Sequence, residues 1–142
     1  MSKNIQAACG AVIIDKNKIL LLKRKKNPES NHWGIPGGKI DWMEKIEDAV
    51  ARETLEETGV HLTSLYLLVN INHFDIEHDE HWLAGVYLAT SYHGEAQLQE
   101  PEKHADLGWF PLDNLPSPLT QATQQAVAAY THYNETPPTK LA

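Results

Sequence analysis

A chain of 142 residues that is 42% hydrophobic and 22% charged has the composition of a folded protein, and not of a disordered or fibrous one. This length suffices for one sizeable core, so we expect residues 1–142 to form a single domain. The formal net charge of -7 argues against binding of nucleic-acid polymers or membranes through a basic surface. Cys9 is the only cysteine, which excludes an intrachain disulfide and a cysteine-based zinc site.

The beginning of the sequence shows no secretory signal. The first residues contain no signal-peptide apolar core, and no apolar run reaches the length that spans a membrane. We therefore expect a cytoplasmic protein. Residues 134–142 are polar and contain prolines, which predicts a frayed tail.

The chain opens with two predicted strands. Residues Gln6–Ile14 are small or β-branched and predict a buried strand, and Lys18–Lys23 predicts the returning strand of a hairpin. A polar loop with a basic beginning follows, over residues 24–32. Next comes the segment Trp33-Gly34-Ile35-Pro36-Gly37-Gly38, in which two adjacent glycines permit a tight turn and a close approach of the backbone.

The stretch Gly37–Val60 carries the strongest signal. It predicts a helix from about Glu44 to Thr58, which Gly59 ends. One helix face begins apolar and continues acidic; its members are Ile46, Ala49, Val50, Glu53 and Glu57, with Glu56 beside them. Crowded carboxylates repel one another unless a cation lies among them, and oxygen ligands suit Mg²⁺ or Mn²⁺. The alternative is a solvated acidic helix in which Arg52 pairs with Glu56.

The same stretch fits a longer pattern, G-x5-E-x7-R-E-U-x-E-E-x-G-U, in which U is a bulky apolar residue. The fixed positions are Gly38, Glu44, Arg52, Glu53, Thr54, Glu56, Glu57, Gly59 and Val60. This string, residues 38–60, resembles the signature box of the Nudix hydrolase family. Thr54 departs from the pattern, but its shape is close to that of valine.

The resemblance implies an α/β/α sandwich with a central mixed β-sheet, whereas periodicity alone predicts only mixed α and β structure. It also implies metal-dependent hydrolysis of a nucleoside diphosphate linked to another group. In the family, the glutamates that correspond to Glu53, Glu56 and Glu57 hold Mg²⁺ or Mn²⁺, often with the carbonyl group at the Gly37 position. Arg52 is then expected to orient a glutamate from behind, and Glu44 to support the loop or a further metal-bound water.

Residues outside the box are expected to complete the site. Family members use an acidic residue in a loop before a Trp-Phe strand as a metal ligand or general base; Glu102 is the candidate here, with Glu100 and His104 as substitutes. In MutT-like members a basic residue at the position of Lys23 or Arg24 contacts substrate phosphates. The remaining substrate-binding candidates are Lys39 and Trp33, although Trp33 also fits a core position.

The second half of the chain predicts further strands and a closing helix. The strands are His61–Asn72, His81–Thr90 and the short Trp109–Leu112, and the helix is Leu119 to about Tyr133. The segment His73–Glu80 is rich in His, Asp and Glu, but its spacing fits no standard metal motif and favours an acidic hairpin loop.

The substrate class is less strongly indicated. The compact domain, the basic strand end, W-G-I-P-G-G and the P-E-K-H segment resemble the family members that act on (deoxy)nucleoside triphosphates, which implies cleavage to a monophosphate and pyrophosphate. ADP-ribose enzymes often carry a proline about sixteen residues after the box. Neither that proline nor the tyrosine typical of dinucleoside polyphosphate hydrolases occurs there, although both classes and other nucleotide sugars stay open. Trp33, Asn70, Asn72, Tyr87 and Trp82 are candidates for contacting the base.

Two further alternatives concern assembly and activity. Family habit allows a homodimer, which no feature of the sequence demonstrates. A Nudix fold also serves in some proteins as a ligand-binding module without hydrolysis, but such modules usually lose box glutamates, and this chain keeps Glu53, Glu56 and Glu57.

Overall fold

The computed structural model describes residues 3–135. Its elements in chain order are β1 (Gln6–Asp15), β2 (Lys18–Arg24), β3 (Trp33–Gly34), β4 (Gly37–Lys39), α1 (Ile46–Thr58), β5 (His61–Leu62), β6 (Tyr66–Asp75), β7 (Glu80–Ala89), β8 (Tyr92–His93), β9 (His104–Pro111) and α2 (Gln121–Glu135). The predicted α/β/α sandwich with a mixed sheet is confirmed. No helix in residues 3–135 is long and apolar enough to span a bilayer.

Strand β1 is the centre of the main seven-stranded sheet. It runs parallel to β7, from the pair Gln6 and Trp82 to the pair Ile13 and Ala89. It is antiparallel to β2 at one end and to β4 at the other. The remaining strands extend the sheet, with β9 and β3 next to β2 and with β6 next to β7.

The two faces of β1 enter two separate cores. Cys9, Ala11 and Ile13 pack with Ala49 and Val50 of α1. The alternate residues of β1 belong to the core on the α2 side; they are Val12 and Ile14, which join Ile71, Val86 and Ala126 there. A strand buried on both faces is apolar throughout, which explains why β1 could be predicted from its composition.

Strand β4 lies so close to β1 that only glycine fits at one position. A Cβ atom on Gly37 would lie 2.2 Å from the carbonyl oxygen of Cys9 and 2.8 Å from the Cα of Gly10. Both atoms belong to the backbone and cannot rotate away. Gly37 therefore permits the pairing that carries the chain from β4 towards the start of α1.

Helix α1 begins two residues after the predicted start at Glu44. Residues 41–44 form a turn instead, in which the Glu44 N–H donates to the Asp41 carbonyl at 3.0 Å, and Met43 has a positive φ of 61°. The predicted end is confirmed. Gly59 adopts a left-handed φ of 77° and its N–H donates to the carbonyl of Leu55 at 2.9 Å.

The predicted single strand His61–Asn72 is wrong. The chain forms β5, leaves the extended pairing, and starts β6 at Tyr66. The hydroxyl groups of Thr63 and Ser64 lie 2.7 and 2.9 Å from that of Ser91, and β5 pairs with β8 in a separate two-stranded sheet. These contacts join residues distant in the chain, so the local pattern did not contain them.

The other element boundaries lie within a few residues of their predicted positions, except for the start of β9. The acidic segment forms a hairpin turn, as predicted, but β6 extends to Asp75 and β7 begins at Glu80. Strand β9 begins at His104 rather than Trp109, because the preceding residues pair with β2. Helix α2 includes residues 134 and 135 of the predicted tail, and the rest of that tail lies outside the described residues.

The close packing of β4 against β1 leads to a test of stability. Gly37→Ala should lower the free energy of unfolding by about 2 kcal/mol, because the methyl group meets rigid backbone. Gly85→Ala is the matched control, since its Cβ would meet the terminal Cδ1 of Ile46, which is able to rotate. Urea unfolding of both variants measures the difference. Equal losses in the two variants would contradict the role given to Gly37.

Candidate functional site

Arg52 of α1 binds the acidic residues around it. Its Nε and Nη2 donate to the two carboxylate oxygens of Glu44 at 2.9 and 3.0 Å. Its Nη1 lies 3.0 Å from Glu53 and 3.4 Å from Glu56, and Nη2 also reaches the carbonyl oxygen of Lys39 at 3.1 Å. The hydrogen bonds from Arg52 and from the Asp41 N–H lower the pKa of Glu44 to about 2. This fork-to-fork pair ties the middle of α1 to the loop before it.

Glu57 occupies the most buried position of the three box glutamates. The residue is 6% exposed, and its Oε1 accepts a hydrogen bond from the Gly37 N–H at 2.7 Å. Burial raises the pKa of Glu57, the Gly37 N–H opposes the shift, and the negative charges of Glu53 and Glu100 add to it, with a net value of about 8. A carboxylate in this position needs a nearby cation in order to stay ionised at neutral pH.

Glu53 lies against Gly38, which explains the second glycine of the turn. A Cβ atom on Gly38 would lie 2.6 Å from the Cδ of Glu53. The Glu53 side chain is 17% exposed, and burial raises its pKa, although the hydrogen bond from Arg52 lowers it. Glycine at position 38 therefore lets this carboxylate reach the surface of β4.

Thr54, the departure from the family pattern, is fully buried. It fills the position of an apolar residue, as its shape predicts. Its hydroxyl oxygen has no hydrogen-bond partner among the described residues. Threonine at this position thus fills the buried space beside α1 but leaves its own hydroxyl group without a hydrogen bond among the described residues.

A loop from the second half of the chain brings further donors to Glu57. Glu57, Glu100 and His104 each offer an oxygen or nitrogen atom within 4.8 Å of the others. The Nε2 of His104 lies 3.4 Å from the Oε2 of Glu57. A turn in the loop shapes this group, because the His104 N–H donates to the Glu100 carbonyl at 3.0 Å. On the outer side, Lys103 pairs with the Glu100 carboxylate at 3.4 Å.

The structure therefore brings only some of the predicted metal ligands and base candidates together. Glu57 joins Glu100 and His104, which had been substitutes for Glu102, whereas Glu102 itself is exposed. Glu56 lies at the protein surface, with a side chain that is 49% exposed. The catalytic and metal-binding roles of Glu53, Glu56 and Glu102, and the part of the Gly37 carbonyl, stay predictions.

A cavity of about 420 Å³ opens beside these carboxylates. The box turn lines one end, through Gly37, Gly38 and Glu57, and His104 lies at the same end. Arg24 and Lys39, both predicted to bind substrate, line this cavity as well. The Nε of Arg24 donates to the Pro28 carbonyl at 2.9 Å, which holds the side chain along the wall.

The other two predicted substrate residues lie elsewhere. Trp33 is only 9% exposed and packs edge-on against Phe110, with ring centroids 4.8 Å apart. Lys23 extends over the Trp33 ring, with its Nζ 6.0 Å from the centroid. Neither lines the cavity, so the structure favours the core interpretation of Trp33 over the base-pocket one.

The far end of the cavity contains residues that motif reasoning missed. They are His73 and Asp75 of β6, and Glu80 of β7, which lie with Trp82. Of the base candidates, only Trp82 lines the cavity; Tyr87 instead donates to Glu47 at 3.0 Å. The signal was the alternation of β6, which places His73 and Asp75 on one face, but their partners depend on the register with β7.

The donor atoms around Glu57 suit a divalent cation. They include carboxylate oxygens, which Mg²⁺ and Mn²⁺ prefer. A cation there would offset the burial of the Glu57 charge and its repulsion by Glu53 and Glu100. The residues present therefore fit a metal site, which agrees with the general use of divalent metals by Nudix hydrolases.

Comparison with known proteins identifies the family. A family model described as the NUDIX domain matches residues 4–131. A crystal structure of a MutT NUDIX hydrolase from Burkholderia pseudomallei is 48% identical, with a TM-score of 0.88 over 89% of this chain and 98% of that one.

Two curated relatives carry names that include an activity. The ADP-ribose pyrophosphatase of Methanocaldococcus jannaschii is 36% identical over 109 residues, which cover 77% of this chain and 63% of the relative. The 8-oxo-dGTP diphosphatase of Proteus vulgaris is 31% identical over 94 residues, which cover 66% of this chain and 82% of the relative. The chain thus spans less than two thirds of the first relative's length. The family match and the 48% identical structure show that this chain belongs to the Nudix hydrolase family.

Proposed function

We propose that this protein is a divalent-metal-dependent pyrophosphohydrolase acting on a nucleoside diphosphate linked to another group. The favoured substrate is a (deoxy)nucleoside triphosphate, which water splits to a nucleoside monophosphate and pyrophosphate. One observation carries this proposal. The buried Glu57 carboxylate lies within a donor group that includes Glu100 and His104, at the end of a cavity that Arg24 also lines.

The carboxylates of Glu57 and Glu100 are proposed to hold the metal, and the predicted ligands Glu53 and Glu56 lie on the same helix as Glu57. A bound Mg²⁺ or Mn²⁺ would neutralise phosphate charge and activate water for attack on phosphorus. The Gly37 N–H fixes one oxygen of Glu57, so the other, Oε2, is the atom that faces the donor group. Arg52 holds Glu53 and Glu44 in place. Its positive charge offsets the repulsion between the carboxylates on this face of α1.

The cavity supplies complementary ends for the rest of a nucleotide. Arg24, which pairs with His104 across β2 and β9, presents positive charge near the metal-binding residues, which suits phosphate oxygens. Lys39 also lines the cavity, but its Nζ lies 5.5 Å from the centroid of the Trp82 ring.

At the far end of the cavity, Trp82 offers an aromatic ring that Lys39 partly covers. Asp75 and Glu80 add carboxylate acceptors, which already accept hydrogen bonds from His78 and Gln6 and keep further lone pairs. Acceptors of this kind suit the amino and imino groups of a base. Relatives named for 8-oxo-dGTP and for oxidised purine nucleoside triphosphates support a purine triphosphate as the first substrate to test.

ADP-ribose is the second candidate. A relative named ADP-ribose pyrophosphatase shares 36% identity with this chain. Against it, the segment after the box lacks the proline that such enzymes often carry. Both substrates contain the same diphosphate, so the residues around Glu57 serve either one, and the difference lies at the far end of the cavity.

A substrate screen tests the proposal directly. The protein is incubated with nucleoside triphosphates, oxidised nucleotides, ADP-ribose and dinucleoside polyphosphates, with Mg²⁺ or Mn²⁺. Anion-exchange chromatography measures the nucleotide products of every substrate, because ADP-ribose and dinucleoside polyphosphates release no pyrophosphate, and pyrophosphate is measured for the triphosphates. We expect metal-dependent release of pyrophosphate from triphosphates. Binding of a nucleotide without any turnover would instead identify a ligand-binding module.

Glu57→Gln should reduce turnover at least about a hundredfold, because even residues behind a metal ligand change activity by that order. The amide keeps the shape of the side chain, so the fold should persist, as circular dichroism will show. Glu102→Gln changes the same chemical group in the exposed loop, so it is the matched control and also tests the base role predicted for Glu102. Wild-type rates in Glu57→Gln would refute the assignment of the site.

Arg52→Lys tests the network behind the carboxylates. A lysine cannot form the paired hydrogen bonds to Glu44, so kcat should fall about tenfold. Glu44→Gln should lower it for the same reason, and the double variant should lose little more than either single one. Fully additive losses would show that Arg52 and Glu44 act independently.

The raised pKa of Glu57 predicts how stability depends on pH without metal. Between the ordinary glutamate value of 4.5 and about 8, the folded protein keeps a proton that the unfolded chain has released. The free energy of unfolding should therefore fall as pH rises through this window. Burial lowers the pKa of His104 below its usual 6.5. This histidine therefore makes the free energy of unfolding rise with pH in the range just below 6.5.

The cleanest comparison consequently lies between pH 6.5 and about 8. Wild-type protein in chelator should lose stability there, and Glu57→Gln should not. Saturating Mn²⁺ should remove the loss in wild-type protein, because the metal favours the ionised carboxylate. Urea unfolding at several pH values measures all three. Parallel curves for wild type and variant would contradict the predicted burial of a protonated Glu57.

A further inference from the structure

We propose that His104 gives this metal site a nitrogen ligand, and that the site consequently prefers Mn²⁺ and similar transition-metal ions to Mg²⁺. The inference rests on the proposed function in taking Glu57 and Glu100 as metal-binding residues. It goes beyond that function by assigning an imidazole to a site that otherwise contains oxygen donors.

The position of His104 supports the assignment. The residue is 7% exposed, and its Nε2 lies 3.4 Å from the Oε2 of Glu57, beyond the usual range of a nitrogen–oxygen hydrogen bond. The Glu100 carboxylate completes a group whose donor atoms all lie within 4.8 Å of one another. The ring is therefore placed beside two carboxylates without a full-strength hydrogen bond to either of them.

The hydrogen bonding of the ring argues against a purely structural histidine. A neutral imidazole has one donor and one acceptor, and buried polar atoms are usually satisfied. The Nδ1 of His104 is buried and has no partner among residues 3–135. No hydrogen bond at Nδ1 fixes the tautomer, so the ring can carry its proton on Nδ1 and present the lone pair of Nε2 to the two carboxylates and a cation between them.

The backbone around His104 is shaped to aim this side chain. Strand β9 begins at His104, which pairs with Arg24 of β2, while Asp106 pairs with Lys23. The intervening Ala105 has no partner in this register, so the ladder shifts by one residue. Such irregularities redirect side chains and occur often beside active sites. Here the shift places Arg24 and His104 on the same cavity wall.

Ligand chemistry connects this geometry to metal choice. Mg²⁺ favours oxygen ligands and keeps several waters, whereas imidazole binds later transition metals more strongly. Replacing one oxygen donor by an imidazole therefore lowers the preference for Mg²⁺. Mn²⁺ accepts both kinds of ligand and is paramagnetic, which makes it a suitable probe.

Pulsed electron paramagnetic resonance of bound Mn²⁺ tests the inference without substrate, because a directly coordinated nitrogen modulates the echo. Wild-type protein should show this modulation, and His104→Gln, which offers an amide oxygen instead, should lose it. His73→Gln is the matched control, since His73 lines the same cavity. It should keep the signal. Bound Mn²⁺ without nitrogen modulation in wild-type protein overturns the inference, and so does a signal that persists in His104→Gln.

Affinity gives a second readout. His104→Gln should weaken Mn²⁺ binding about tenfold and leave Mg²⁺ binding, measured by competition, within about threefold of wild type. An equal loss for both ions contradicts a nitrogen ligand. His104→Asn is the second variant if His104→Gln does not fold by circular dichroism.

The same protein samples are assayed for pyrophosphate release, which separates this inference from the proposed function. Turnover by a protein whose Mn²⁺ has no nitrogen neighbour overturns the inference and leaves the proposed function intact. Nitrogen coordination in a protein that cleaves no substrate of the screen supports the inference and overturns the proposed function.

Discussion

The hydrogen bond from the Gly37 N–H to the buried Glu57 carboxylate is the contact on which the rest of the site depends. It joins the glycine turn to the last part of α1 at 2.7 Å. It requires a residue without a side chain at position 37, because β4 pairs closely with β1. It also keeps a carboxylate in a place where burial favours the protonated form. The fold thus holds Glu57 in a position that is unfavourable for its charge until a cation arrives.

Arg52 explains why Glu57 differs from the other acidic residues of α1. The guanidinium contacts Glu44, Glu53 and Glu56, and among residues 3–135 it makes no ion pair with Glu57. Glu57 instead meets Glu100 and His104. One acidic helix therefore contains carboxylates whose charge Arg52 balances and one carboxylate, Glu57, whose burial favours the protonated form. A cation bound beside Glu57 would favour its ionised form, next to the cavity that is proposed to take the phosphates.

How far the sequence predicts this structure depends on the distance over which each contact acts. The box helix, its Gly59 cap and the apolar β1 are specified by neighbouring residues, and they were predicted closely. The break between β5 and β6 depends on contacts with Ser91, which a local pattern does not contain. Local sequence also could not choose between Glu100 and Glu102, which have the same side chain and lie two residues apart. Only the turn that ends at His104 places Glu100 beside Glu57.

The two ends of the cavity are consequently specified in different ways. At the end with Glu57, the turn and the acidic helix arise from one continuous motif, whereas Glu100 and His104 come from a later loop. The end at Trp82 arises from the pairing of β7 with β1 and β6, which brings Trp82 beside Gln6 and His73. A change of one residue in that register would exchange the face of every side chain on the strand. The side chains of β6 and β7 at this end can therefore change while the box stays constant. Two relatives of this chain carry the names of different nucleotide substrates, and this end of the cavity is where a substrate that differs beyond the diphosphate would make its contacts.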